Sequence, residues 1–105
     1  MTLQIFEQIL KDVCPDTFEL QAPRNRSRFV VWHRYGTKSG HGDDQNVFDL
    51  PKVQIDVLQQ DPQDTLADDI CSALSAAHLP YTILDYQVYD PDYARLRTIM
   101  QLVVI

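Results

Sequence analysis

Residues 52–60 read KVQIDVLQQ, a stretch in which apolar and polar side chains alternate. Val53, Ile55 and Val57 fall on one side of an extended chain, and the residues between them are polar. This period of two predicts a strand with one buried face. The rest of the fold can be worked out from this strand, because the elements on both sides of it must cover its apolar face.

Two amphipathic helices are predicted, one on each side of this strand in sequence. Residues 3–13 have apolar side chains at helical spacing, and Thr2 is the predicted N-cap. Asp61 is the predicted N-cap of the second helix, Pro62 its first position, and the helix continues through residues 65–78. Both helices have one apolar side to place against a sheet.

Three further strands are predicted from runs of β-branched and aromatic residues, at 28–35, 81–89 and 95–105. With residues 52–60 they form a mostly antiparallel four-stranded sheet with both helices on one face. The sequence therefore predicts the α+β class, and its length predicts a single domain over residues 1–105.

All three glycines of the chain lie in residues 36–50, together with several aspartates and an asparagine. This composition predicts a long, mobile loop, and loops of this length are often used for binding.

The second face of the last predicted strand carries Arg97, Ile99 and Val103, and no third helix remains to cover it. Two explanations stay open. Either a partner covers this face or the segment 36–50 folds over it.

Composition narrows the class of protein. The chain has 105 residues, 45% of them hydrophobic and 23% charged, with a net charge of −6. These values fit a globular domain. The excess of acidic residues argues against sequence-independent nucleic-acid binding, and no sign of sequence-specific nucleic-acid binding is present. No apolar run is long enough for a membrane span. The start of the chain lacks the pattern of a secretion signal, so Cys14 and Cys71 are expected to be reduced.

The charges are unevenly distributed along the sequence. The charged residues within 23–42 are all arginine or lysine, whereas those within 43–105 are mainly aspartate. One interpretation is a solvated surface, and the other is a subunit whose basic face meets the acidic face of a neighbouring copy. The second interpretation predicts an interface of Arg24, Arg26, Arg28, Arg34, Lys38, Asp61, Asp64, Asp68 and Asp69.

No motif for catalysis or cofactor binding is present, so no catalytic, cofactor or metal residue is predicted and the chain is not expected to be an enzyme. The histidines lack the spacing of a zinc helix. The alternative is a small metal-binding or hydrolytic domain that uses His33, His41 and the Asp43-Asp44 pair.

Several stretches resemble one known family. They are Pro51 to Val57 (PKVQIDV), Asp61 to Asp64 (DPQD), the helix 65–78, Tyr86 to Asp90 (YQVYD) and the strand-forming C-terminus. Together they resemble the tail-completion proteins of long-tailed bacteriophages and prophages, also called tail-terminator or head-tail joining proteins, the minor tail protein U-like group.

This resemblance implies a structural virion protein. It implies an N-terminal helix, a strand, a variable segment, a second strand, a helix and a closing β-hairpin. It also implies a ring, commonly of six subunits, whose chains can be monomeric in solution before assembly. The partners would be other copies, the tail tube protein and the head connector, and the location would be the tail-head joint after assembly in the host cytoplasm. A head-completion protein of similar fold is the alternative.

Overall fold

The structure is a computed structural model that describes residues 1–42 and 45–105, with side chains described for residues 1–39 and 49–105. These described residues contain two helices and five strands, which confirms the α+β class. In chain order they are α1 (Leu3–Val13), β1 (Thr17–Glu19), β2 (Arg28–Gly42), β3 (Gln45–Gln59), α2 (Leu66–Ala76), β4 (Tyr81–Asp90) and β5 (Arg95–Val103).

The strands form one sheet in the order β1-β2-β3-β5-β4. The predicted sheet of four strands is wrong by one, because the short strand β1 pairs in parallel with β2. The backbone N–H of Leu20 donates to Trp32 O at 2.9 Å, and the N–H of Val30 donates to Asp16 O at 2.9 Å. All other pairings are antiparallel, so the sheet is mixed but mostly antiparallel.

The prediction of a loop over residues 36–50 is wrong for residues 36–39 and 49–50, which belong to paired strands. Strand β2 continues to Gly42 and β3 begins at Gln45, and the two remain paired throughout. Because β3 pairs with β5 only from Lys52 onward, residues 37–42 and 45–51 form a two-stranded arm, termed the arm below. Backbone hydrogen bonds do not depend on side-chain polarity, so a Gly-rich polar sequence can pair in this way. Asp43 and Asp44 lie outside the described residues, and mobility there stays a prediction.

Both helices pack on the same face of the sheet, termed the helix face. Phe6 and Leu10 of α1 and Ile70 and Leu74 of α2 are fully buried there. They share one core with alternate residues of the strands: Val30, Trp32, Val53, Ile55, Val57, Met100, Leu102 and Val104. The predicted alternation of residues 53, 55 and 57 is therefore confirmed.

Helix α1 begins as predicted, with Thr2 Oγ1 accepting a hydrogen bond from Ile5 N at 3.1 Å. Helix α2 begins later than predicted. Its N-cap is Thr65, not Asp61, and Pro62 precedes the helix. The carboxylate of Asp61 accepts from Gln63 N at 2.8 Å, a local bond that closes a turn in place of a helix start.

Helix α2 also ends earlier than predicted. His78 has a φ of 58°, and Leu79 N donates back to Leu74 O at 2.9 Å. This is a Schellman motif with His78 at the left-handed position. Its hydrophobic contact is made by Leu74 and Leu79, which share the core and fix the direction in which the chain enters β4.

Candidate interaction surfaces

The predicted basic and acidic segments meet within one chain. Arg28 Nη2 donates to Asp64 Oδ1 at 3.1 Å, and Arg28 Nε lies 3.0 Å from Asp64 Oδ2. The Nε–H is not aligned for a hydrogen bond, so the pair has one hydrogen bond and one close charge contact. Arg28 and Asp64 therefore hold the start of β2 against the approach to α2.

The other predicted bases are exposed. The side chains of Arg24 and Lys38 make no hydrogen bond or ion pair with the described residues. Arg26 Nε lies 3.9 Å from Asp16 Oδ1, at the limit of an ion pair. Arg34 Nη2 donates to Thr37 Oγ1 at 2.7 Å, and both residues belong to β2.

The predicted acids besides Asp64 are also exposed. Asp68 accepts a hydrogen bond from the Tyr86 hydroxyl at 3.2 Å, which joins α2 to β4. Asp69 accepts from Thr65 Oγ1 at 3.0 Å, and Asp61 closes its local turn. Asp68 and Asp69 thus remain on an accessible acidic surface beside β4.

The face of the sheet opposite the helices, termed the open face, is covered at one end. Phe29, Val31 and Leu58 form a small buried cluster there. Phe18 and Ala22 pack on it from the β1 side and Tyr93 from the β4–β5 turn. The ring centroids of Phe29 and Tyr93 are 5.2 Å apart with an edge-to-face arrangement. The cover at this end is therefore local chain, and the predicted cover by residues 36–50 does not occur among the described contacts.

The three strand residues predicted for this face differ in accessibility. Arg97 Nη1 lies 2.9 Å from Asp90 Oδ2 and forms an ion pair with this carboxylate, which is only 5% exposed. Ile99 is 8% exposed, and Val103 is half-buried near the end of β5. Arg97 is therefore held within the chain, while Val103 lies nearer to solvent than Ile99.

A row of polar side chains crosses the open face and is termed the polar row. The Tyr35 hydroxyl donates to Gln101 Oε1 at 3.4 Å, Gln101 donates to Gln54 Oε1 at 3.1 Å, and Gln54 donates to Asp56 Oδ1 at 3.0 Å. Gln54 and Asp56 belong to the stretch on which the family resemblance rests. Burial raises the pKa of Asp56, against the lowering effects of the bond from Gln54 and the nearby Arg97.

Strand β4 is the most exposed apolar element of the described chain. It lies at the end of the sheet and pairs only with β5. Its exposed large apolar residues are Ile83, Leu84, Tyr86, Val88 and Tyr89, with exposed fractions from 41% to 61%. No described helix buries them, so this strand presents a free edge and apolar side chains together.

Two register shifts interrupt β4, between Ile83 and Asp85 and between Asp85 and Val88. Gln87 has a φ of 52°, and its N–H donates to Thr98 Oγ1 at 3.1 Å. The alternation of a regular strand would place residues 84, 86 and 88 on one face, but the register shifts separate them. Tyr86 contacts Asp68 on the helix side, whereas Val88 lies opposite Arg97 on the open face.

Leu20 follows the opposite edge strand, β1. Its φ is 70°, and Gln21 N donates to Glu19 O at 2.8 Å across it. A γ-turn with positive φ is rare and strained for a residue with a branched side chain. The side chain of Leu20 is nevertheless 68% exposed. The sequence signals for this feature and for the β4 edge are weak, because neither exposure nor edge position can be read from local periodicity.

An open depression of about 530 Å³ lies between the base of the arm and the start of β4. Its walls include Tyr35, Lys38, Tyr81, Val103 and Ile105. Its described walls are mostly apolar.

The residues of the predicted metal-binding alternative are not brought together in the described part of the chain. His33 is half-buried on the open face, while His41, Asp43 and Asp44 lie outside the residues with described side chains. Residues 1–39 and 49–105 contain no cluster of three metal-ligating side chains. Both cysteines are free thiols, and burial raises the pKa of Cys14.

In the described residues, neither helix has the length and hydropathy needed to cross a membrane. No protein-family model matches the chain, and no curated protein matches its sequence significantly.

Proposed function

We propose that this protein is a structural virion protein of a long-tailed phage or prophage. In this proposal its copies form a ring that caps the tail tube and joins the tail to the head. The observation that carries the proposal is strand β4, a ten-residue strand with exposed apolar side chains whose outer edge is unpaired among the described residues. Such an edge favours pairing with another chain.

The order of elements supports the same proposal. The helix, strand, arm, strand, helix and closing hairpin follow the order that the resemblance to tail-completion proteins implies, with β1 as an addition. The arm occupies the position of the variable segment in that order. Gln54 and Asp56, which help to carry the resemblance, are joined in the polar row at the centre of the open face.

The proposed role requires no chemistry from the chain, only surfaces. The proposed partners are neighbouring copies, the tail tube protein below the ring and the head connector above it. The proposed location is the tail-head joint of the virion.

The proposal is tested by negative-stain electron microscopy of a lysate from a phage or induced prophage in which this gene is disrupted. Filled heads beside unattached tails, some of them overlong, are the expected result. Heads that have lost their DNA would assign the chain to head completion instead. Intact particles in normal number would contradict a structural role.

A further inference from the structure

The two edge strands of the sheet, β1 and β4, differ in length, and the surfaces beside them differ in charge. Between residues 53 and 94 the chain has no lysine or arginine, so α2 and β4 form a wholly acidic surface apart from His78. Exposed on it are Asp68, Asp69 and Asp85, next to the apolar side chains of β4. A ligand for this surface must therefore bring apolar groups and positive charge together.

Exposed apolar and positively charged side chains occur together in the segment that follows the other edge strand, β1. The segment Leu20 to Ser27 follows the edge strand β1 and carries an exposed leucine and two exposed arginines, Arg24 and Arg26. Leu20 keeps its side chain in solvent at the cost of a strained backbone. Strain of this kind is retained in proteins chiefly where a function depends on it.

We propose that a second copy of this chain docks its Leu20 to Ser27 segment on the outer edge of β4. Leu20 would pack beside Leu84 and Val88, and Arg24 and Arg26 would face the aspartates of α2 and β4. The inference rests on the proposed ring and names the two surfaces that build it. Because Leu20 follows the edge strand β1 and β4 is the opposite edge strand, the contact is head-to-tail, repeats from copy to copy and forms a ring where the rotation closes.

A two-fold contact between two β4 edges is the less favourable arrangement. It would place two acidic strands side by side, with Asp85 of both near the axis and no base on either surface to compensate. The bulges at Ile83–Asp85 and Asp85–Val88 would also have to match in both strands. The head-to-tail contact avoids both problems, since charges of opposite sign meet.

The test uses two variants of the full chain, each blocked on one surface. Variant A carries Leu20→Asn and Arg24→Glu, and asparagine tolerates the positive φ of that position. Variant B carries Leu84→Lys and Val88→Lys, two changes at exposed positions that leave the core intact. Each is examined alone and in an equimolar mixture by sedimentation equilibrium, up to about 1 mM protein.

The head-to-tail contact predicts that the wild type associates and that each variant alone is monomeric. It also predicts that the mixture forms a dimer of one A and one B, because A retains the β4 edge and B retains the Leu20 segment. A two-fold contact predicts instead that A alone dimerises. A wild type that stays monomeric over this range, or a mixture that stays monomeric, would overturn the proposal.

Matched controls separate the contact from a general loss of solubility or stability. Ile5→Lys replaces an equally exposed apolar residue on α1, and Arg34→Glu reverses an exposed base away from the segment. Both are expected to associate as the wild type does. If the mixture fails to pair while the disrupted phage still shows separate heads and tails, the proposed function stands and only this contact is wrong.

Discussion

Arg28 and Asp64 form an ion pair that joins the two halves of the chain, with Arg28 Nε 3.0 Å from Asp64 Oδ2. The side chains are 41% and 24% exposed, so solvent screens the pair. We expect Arg28→Met to lower the free energy of unfolding by about 0.5–1 kcal/mol. Urea denaturation measures this loss, and Arg24→Met, at an exposed position, is the control.

Asp64→Asn in the Arg28→Met background completes a double-mutant cycle for this pair. We expect a favourable coupling energy, because each side chain loses its partner when the other is changed. Additive effects of the two substitutions would show that the pair contributes nothing to folding.

Phe6 anchors α1 on the sheet. It is fully buried, and its ring contacts that of Trp32 edge-on with centroids 5.5 Å apart. We expect Phe6→Ala to cost about 3–5 kcal/mol, the usual loss for a buried phenylalanine. The adjacent Ile5 is 53% exposed, so Ile5→Ala should change stability by less than about 0.5 kcal/mol. Similar losses for both variants would contradict the observed orientation of α1.

Gln59 is a fully buried polar residue that sequence analysis did not single out. Its Nε2 donates to Asp61 O at 2.9 Å and Asp64 O at 3.0 Å, which ties the end of β3 to the turn before α2. We expect Gln59→Met to cost about 1–3 kcal/mol, since both carbonyls lose their donor. Gln60→Met, one residue further at an exposed position, should be near neutral in the same denaturation assay.

Asp56 gives stability a defined pH dependence. Because burial raises its pKa above the ordinary 3.8, the folded state binds this proton more tightly than the unfolded state. The stability from that proton is complete below pH 3.8 and is lost as pH rises through the higher pKa of the folded state. Arg97 and His33 offset part of the burial effect, and Asp90 adds to it.

The Asp56→Asn variant removes this titration and keeps an acceptor for Gln54. We therefore expect its melting temperature to exceed that of the wild type at pH 7, with the difference shrinking toward pH 4. Thermal melts across that range measure the effect. A variant that melts below the wild type at pH 7 would show that the charged carboxylate is stabilising.

Much of the fold follows from local patterns that are strong in this sequence. The alternation at residues 53, 55 and 57 predicts the central strand, and the helical spacing of residues 3–13 predicts α1 with both ends correct. These elements each bury one regular apolar face, so period alone identifies them.

The features that were not predicted depend on contacts distant in sequence. Strand β1 has three residues and is defined only by its pairing with β2. The arm is rich in glycine and polar residues, and its pairing comes from backbone bonds, which leave no hydrophobic period. The meeting of Arg28 with Asp64, and the exposed position of β4, follow from strand order, which local sequence does not specify.

The central claim, that this chain joins tails to heads, is tested most directly by complementation in vitro. Purified wild-type protein is added to a lysate of the disrupted phage that contains separate filled heads and tails, and infectious particles are counted. The account predicts that joined particles appear and that titre rises with the amount of protein added. Heads and tails that stay separate at every concentration, or full infectivity without the protein, would contradict it.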